Sequence, residues 1–89
     1  MVPDKIASDS WRYKVVVERE DDAVEQDLSP DATLLKAKYA ATSLYDARWR
    51  GRNAIAKVVL VTRHSKRVVS TRQMGPQNPG KTHWEDAKR

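Results

Sequence analysis

The chain has 89 residues, and its 17 Lys and Arg against 12 Asp and Glu give a formal net charge of +5. This length suits one domain with a thin hydrophobic core, and a hydrophobic fraction of 39% is too high for a fully disordered chain. No apolar run approaches the roughly 18 residues of a membrane helix. The absence of Cys excludes disulfides, thiolate catalysis and Cys-based zinc sites. We expect one small cytoplasmic α+β domain.

The charge is distributed unevenly along the sequence. Residues 1–31 hold four basic and nine acidic residues, a net charge of −5, whereas residues 32–89 hold thirteen basic and three acidic residues, a net charge of +10. No acid occurs between Ala47 and Thr82. Such asymmetry indicates either a polyanion or acidic protein surface as the partner, or two halves that neutralise each other in the folded chain.

The first predicted element is a β-strand. Trp11, Tyr13, Val15 and Val17 alternate with Arg12, Lys14, Val16 and Glu18, a period of two that is typical of a half-buried strand. The acidic stretch 20–27 has no apolar stripe, and we interpret it as a loop or a loose helical turn.

A helix is predicted over residues 30–50. Ser29 suits the N-cap, followed by Pro at the first helical position and an acid in the first turn. Gly51 suits the residue that ends the helix. The predicted buried stripe contains four residues: Leu34, Ala37, Ala41 and Leu44.

Two Val-rich runs, 54–63 and 66–72, predict a β-hairpin that turns near His64 and Ser65. The expected fold is therefore a small β-α-β-β domain, with a three-stranded, largely antiparallel sheet and one helix packed on one face. We divide the chain into a polar arm (1–9), this α+β domain (10–74) and a charged tail with Gly and Pro (75–89), whose order the sequence leaves open.

The segment from Gly75 to Thr82 matches the phosphate-loop pattern G-x-x-x-x-G-K-[ST]. Pro76 and Pro79 each remove a backbone N–H from the phosphate cradle, and the seven residues after Thr82 leave little room for a flanking helix. We therefore do not expect a nucleotide site here.

Catalytic and metal-binding patterns are equally weak. The two His residues, His64 and His83, lie 19 positions apart, and Ser65 has no identifiable activating partner. The sequence predicts a non-enzymatic protein with no cofactor and no metal.

The basic segments predict a nucleic-acid interface that contacts the phosphate backbone of DNA or RNA with weak sequence preference. The cations come from the end of the helix and from the hairpin: Arg48, Arg50, Arg52, Arg63, Lys66, Arg67 and Arg72. Trp49 either stacks on a base or covers the core. If Trp11 and Tyr13 face the helix, which we favour because the chain has no Phe for its core, then Arg12 and Lys14 line the open sheet face.

An alternative function belongs to a different class. The Val-rich strands exceed what one helix can bury, which favours a protein-binding adaptor, inhibitor or accessory subunit, including a phage-type factor. Such a protein would use its Val-rich sheet face as a homodimer or against an acidic protein surface.

Overall fold

The computed structural model describes residues 11–76 and 83–87. Their secondary structure is, in chain order, β1 (Trp11–Arg19), β2 (Asp22–Asp27), α1 (Leu34–Trp49), β3 (Ala54–Thr62), β4 (Lys66–Met74) and β5 (Glu85–Asp86). The strands form one antiparallel sheet in the order β2-β1-β3-β4-β5. The predicted α+β class is confirmed, but the sheet has five strands and not three. The polar arm and most of the phosphate-loop match lie outside the described residues.

The sheet has a helix-covered face and an open face. Along β1, Val15 and Val17 are fully buried, while Lys14 and Val16 between them are only partly buried. Cross-strand partners share a face, so Val58, which pairs with Val15, and Ala56, which pairs with Val17, also lie under the helix. The predicted alternation of β1 is confirmed.

Strand β2 corrects the prediction of a loop over residues 20–27. Its six residues are exposed except Val24, because β2 is the edge strand and lies outside the area that the helix covers. Such a strand carries no apolar alternation, so its sequence contains no strand signal. Glu20 has a positive φ of 55° between the two strands, and β2 pairs antiparallel with β1.

The helix begins later than predicted. Thr33, not Ser29, is the N-cap, and its Oγ1 accepts a hydrogen bond from the Lys36 amide at 3.1 Å. Ser29 instead donates to Asp31 Oδ1 at 2.7 Å within a turn that precedes the helix. The Ser-Pro-Asp sequence is equally suited to a turn, which is how the chain uses it.

The buried helical stripe also differs from the predicted one at both ends. Its members are Ala37, Ala41, Tyr45 and Trp49, while Leu34 and Leu44 pack at its margin. The two alanines are fully buried, and the two aromatic residues supply the larger apolar side chains of the stripe. Gly51 has a φ of 81°, as expected for the residue that ends a helix.

The β3–β4 hairpin is confirmed, with its turn at residues 63–65. A bulge interrupts the pairing after Val58, so that Val59 lies opposite Val68. The extra residue, Val69, packs against the core. Beyond the bulge, Val59, Val61, Lys66 and Val68 share the open face.

Strand β5 falls in the segment that we assigned to the C-terminal tail. Its Asp86 accepts a hydrogen bond from the fully buried Ser70 at 2.7 Å and forms an ion pair with Lys38 at 3.1 Å. Trp84 packs against the core next to Lys38, whose Nζ lies 5.9 Å from the centre of the indole ring. Among the described residues, no helix is long and apolar enough to cross a membrane.

Candidate nucleic-acid interface

The open sheet face combines charged side chains with five aliphatic ones, which we call the aliphatic row: Val16, Ile55, Val59, Val61 and Val68. The cross-strand pairing shows which residues of the three central strands lie on this face. They are Arg12, Lys14, Val16 and Glu18 from β1, Ile55, Lys57, Val59 and Val61 from β3, and Lys66, Val68, Thr71 and Gln73 from β4. Two of the aliphatic side chains are well exposed, Ile55 at 39% and Val68 at 40%. The cations concentrate towards the hairpin turn, whereas Glu18 lies at the other end.

A depression of about 420 Å³ occupies the hairpin end of this face. It is lined by Arg12, Lys14, Asp27, Val61, Thr62, Arg63 and Lys66. Four of these residues carry a positive charge and only Asp27 carries a negative one. We call this set the basic depression. Its shallow, open form suits a polyanion that lies on the surface, because a groove-like contact can satisfy several cations at once.

The turn that positions Arg63 is held by one threonine. Thr62 Oγ1 accepts hydrogen bonds from the amides of His64 at 3.2 Å and Ser65 at 3.0 Å, and the Thr62 amide donates to the Ser65 carbonyl at 2.8 Å. A side chain that accepts from its own turn fixes the local backbone. The Arg63 guanidinium therefore extends from an ordered turn next to the depression.

Most cations of the basic depression form no ion pair with a carboxylate of the described residues. Lys14 is the exception, since its Nζ lies 2.6 Å from Glu25 Oε1. The hydrogen bond between them raises the pKa of Lys14 and is the largest cause that lowers the pKa of Glu25. Among the described residues, no carboxylate lies within 4.0 Å of Arg12, Arg63 or Lys66. Lys66 nevertheless contributes electrostatically to the lowered pKa of Glu25, so within the described ranges Arg12 and Arg63 are the least neutralised cations of the depression.

The C-terminal end of the helix offers a second cationic area, which is partly neutralised. Arg48 forms an ion pair with Asp22 at 2.6 Å, and this hydrogen bond is the main cause of the lowered pKa of Asp22. The same guanidinium lies 5.4 Å from the centre of the Trp49 ring. Arg50 and Arg52 are exposed. Because a helix C-terminus carries a partial negative charge, this end is less favourable to an anion than the hairpin.

The structure does not bring the predicted cations together. Strand β3 separates Arg52, before its first residue, from Arg63, after its last, and nine residues of strand span roughly 26 Å at about 3.3 Å per residue. Two further predicted residues lie on the other side of the sheet: Arg67 pairs with Leu60, and Arg72 with the buried Ala56. Of the predicted set, only Arg63 and Lys66 border the basic depression.

Trp49, which was predicted either to stack on a base or to cover the core, lies in the core. Trp49 is only 9% exposed and belongs to the core, so its ring face is not free for a base. Tyr13 also packs against the core, as expected, while Trp11 remains 37% exposed at the start of β1. Trp11 contacts Tyr13 edge to face, with ring centres 5.5 Å apart. Both rings lie on the helix-covered side.

Arg12 and Lys14 complete the site, although they are absent from the predicted set of contact residues. The signal was present in the alternation of β1, which places them opposite Tyr13 and Val15. Within the described ranges, no group of three or more His, Asp or Glu is arranged to hold a metal ion. His64 is an exposed residue of the turn.

No family model matches the chain, and neither the curated proteins nor the solved structures contain a match.

Proposed function

We propose that the protein is a non-enzymatic, cytoplasmic module that binds nucleic acid through the basic depression. The supporting observation is that Arg12, Arg63 and Lys66, which form no ion pair within the described residues, surround a shallow surface next to an ordered turn. Phosphate contacts require positive charges that are not already neutralised, since each contact releases counterions from the nucleic acid. The cations at the helix end act as secondary contacts or only add to the long-range attraction.

Two double variants with equal charge test this proposal. Arg63→Ala/Lys66→Ala removes two cations from the basic depression, and Arg50→Ala/Arg52→Ala removes two exposed cations from the opposite end of β3. We expect the first variant to weaken binding to a labelled oligonucleotide and to reduce the slope of log K against log salt by about 1.8, from about 0.9 per phosphate contact. The second variant should retain most of that slope. Equal losses in both variants would contradict a localised site.

A second candidate function is supported by the aliphatic row of the open face. Val16, Ile55, Val59, Val61 and Val68 lie together there, and a contiguous exposed apolar surface is typical of protein interfaces. In this alternative, the face binds a second copy of the chain or another protein, and the charges at its margin fix the orientation.

Sedimentation equilibrium distinguishes the two candidates. The protein interface would be favoured by a dimer that forms as the protein concentration rises. Added nucleic acid should leave this dimer unchanged, and Val68→Asp should abolish it. Leu35→Asp is the matched control, because Leu35 is 59% exposed on the helix, away from the open face. A monomer that binds nucleic acid favours the first candidate.

A further inference from the structure

Strand β2 is the outermost strand on one side of the sheet, and its outer side has no neighbouring strand among the described residues. Its six residues pair with β1 along the inner side. Such an edge leaves backbone N–H and C=O groups unpaired, and these groups can pair with a strand of another chain. The side chains next to them decide which strand fits.

The hydrogen-bonding pattern of the β1–β2 hairpin shows which backbone groups face outwards. The Leu28 amide donates to the Tyr13 carbonyl at 3.0 Å. Bonded and non-bonded pairs alternate along an antiparallel ladder, so the register directs the groups of every second β2 residue outwards: Ala23, Glu25 and Asp27. The Ala23 amide already donates to Asp22 Oδ1 at 2.9 Å. Two complete outward pairs of N–H and C=O, those of Glu25 and Asp27, have no such bond among the described residues.

The two residues with outward backbone groups are also acidic, and both are exposed. Glu25 lies opposite Val16 and Asp27 lies opposite Lys14, so both carboxylates lie on the open sheet face. The Glu25 side chain remains 52% exposed although it contacts Lys14. Asp27 has no ion-pair partner within 4.0 Å among the described residues. A strand that adds to β2 therefore meets two carboxylates, two positions apart on one face.

The acidic side chains decide between the possible occupants of this edge. If β2 of a second copy used both outward pairs, carboxylates would lie opposite carboxylates, and like charges in directly opposed positions are unfavourable. A strand with Lys or Arg at alternate positions instead places a cation opposite Glu25 and another opposite Asp27. On the other side of β2, Val24 packs against the core. An apolar residue between the two cations would extend that apolar surface.

We propose that the outer edge of β2 binds a basic segment of another protein, which adds to the sheet as an antiparallel strand. The segment alternates cations with apolar residues. Its backbone pairs with the outward groups of Glu25 and Asp27, and its cations contact their carboxylates, so that main-chain bonds supply affinity and side chains supply specificity. This interaction goes beyond nucleic-acid binding, because it uses the strand edge and its carboxylates and not the cations of the basic depression.

Fluorescence anisotropy with labelled peptides tests the kind of partner. The probe is an end-capped peptide of about seven residues that alternates Lys and Val, the length of a typical strand. One control peptide has Glu at each Lys position, and another carries an N-methyl group on each Lys amide, which faces β2 in antiparallel addition. We expect no binding of the Glu peptide and at least about tenfold weaker binding of the methylated one. Equal affinity of the methylated and unmethylated peptides, or no saturable binding of the Lys peptide, would overturn the proposal.

Two double variants with equal charge test the carboxylates. Glu25→Gln/Asp27→Asn removes both from the edge, and Asp31→Asn/Asp46→Asn removes two exposed carboxylates outside the sheet. We expect the first variant to bind the Lys peptide roughly three- to tenfold more weakly, since exposed ion pairs contribute modestly. The second variant should retain nearly wild-type affinity. Equal losses in the two variants would contradict a contact at β2.

Amide hydrogen exchange of the wild-type protein locates the peptide without any substitution. In the free protein, the outward amides of Glu25 and Asp27 should exchange faster than those of Val24 and Gln26, which face β1. We expect saturating Lys peptide to slow exchange at Glu25 and Asp27 by at least about tenfold, and to leave the helix residue Tyr39 unchanged. No slowing at Glu25 and Asp27 under saturation would overturn the addition of a strand to β2.

Discussion

Two glycines with positive φ differ in what surrounds them. Gly75 has a φ of 115°, and a Cβ there would lie 2.6 Å from the Arg52 carbonyl oxygen and 2.5 Å from Asn53 Oδ1. Gly51 has a φ of 81°, and a Cβ there would meet nothing within 4 Å. The first position therefore needs glycine for both backbone conformation and space, and the second for conformation alone.

This difference gives a prediction about single residues. Gly51→Ala should lower the free energy of unfolding by about 1 kcal/mol, the approximate strain of a left-handed residue with a side chain. Gly75→Ala should lower it by at least about twice as much, because the backbone of Arg52 cannot yield as a flexible side chain would. Urea denaturation of both variants measures the losses. An equal loss at the two positions would show that the close approach to Arg52 is absent in solution.

At the scale of elements, two substitutions compare the observed N-cap of the helix with the predicted one. Thr33→Ala removes the acceptor for the Lys36 amide, and we expect a loss of about 1 kcal/mol in the free energy of unfolding. Ser29→Ala is the matched control, because Ser29 lies in the preceding exposed turn, where substitutions usually change stability by less than about 0.5 kcal/mol. A larger loss from Ser29→Ala would instead place the N-cap where the sequence predicted it.

The pairing of the edge strand β2 gives a pH prediction. The lowered pKa of Glu25 means that its contact with Lys14 stabilises the fold above the ordinary carboxyl pKa of 4.5 and that this contribution is lost as the pH falls through the folded-state pKa. The raised pKa of Lys14 places the corresponding loss at alkaline pH, above 10.5. We expect wild type to exceed Glu25→Gln in stability at neutral pH and the difference to shrink below pH 4.5. Urea midpoints across this range measure it, and a constant difference would contradict the ion pair.

The elements that the sequence predicted are those whose apolar residues face the core. Strand β1 and the β3–β4 hairpin have such patterns, and the turn between β3 and β4 was located correctly. Strand β2 was missed because an exposed edge strand needs no apolar residue, and its pairing depends on β1 and not on its own sequence. The N-cap was misplaced because Ser29 and Thr33 are both good caps, and only packing of the helix on the sheet decides between them.

The candidate site was predicted only in part for a reason of topology. Arg50 and Arg52 are close to Arg63 in sequence, but an intervening strand carries Arg63 to the far end of the sheet. Conversely, Arg12 is distant in sequence from Lys66, yet both flank Val61 because β3 lies between β1 and β4. Strand order is not encoded in any local pattern, so the composition of the site could not be deduced before the sheet was known.

At the scale of the whole molecule, folding neutralises part of the charge asymmetry, through two ion pairs among the described residues. These pairs join acidic residues of the first part of the chain to basic residues of the second: Glu18 with Lys57 at 2.9 Å and Asp22 with Arg48 at 2.6 Å. Near the hairpin, Arg12, Arg63 and Lys66 form no ion pair with the described carboxylates, so positive charge remains concentrated there. This local excess is the basis of the proposed interface.

The most direct test of that interface is an NMR titration of the wild-type protein with a short DNA duplex. We expect the backbone amide shifts to change most around the basic depression, at Arg12, Lys14, Val61 and Lys66, and to remain nearly unchanged at Leu35 and Tyr39 on the exposed side of the helix. Shift changes that are confined to the helix, or none at saturating DNA, would contradict the assignment of nucleic-acid binding to the open sheet face.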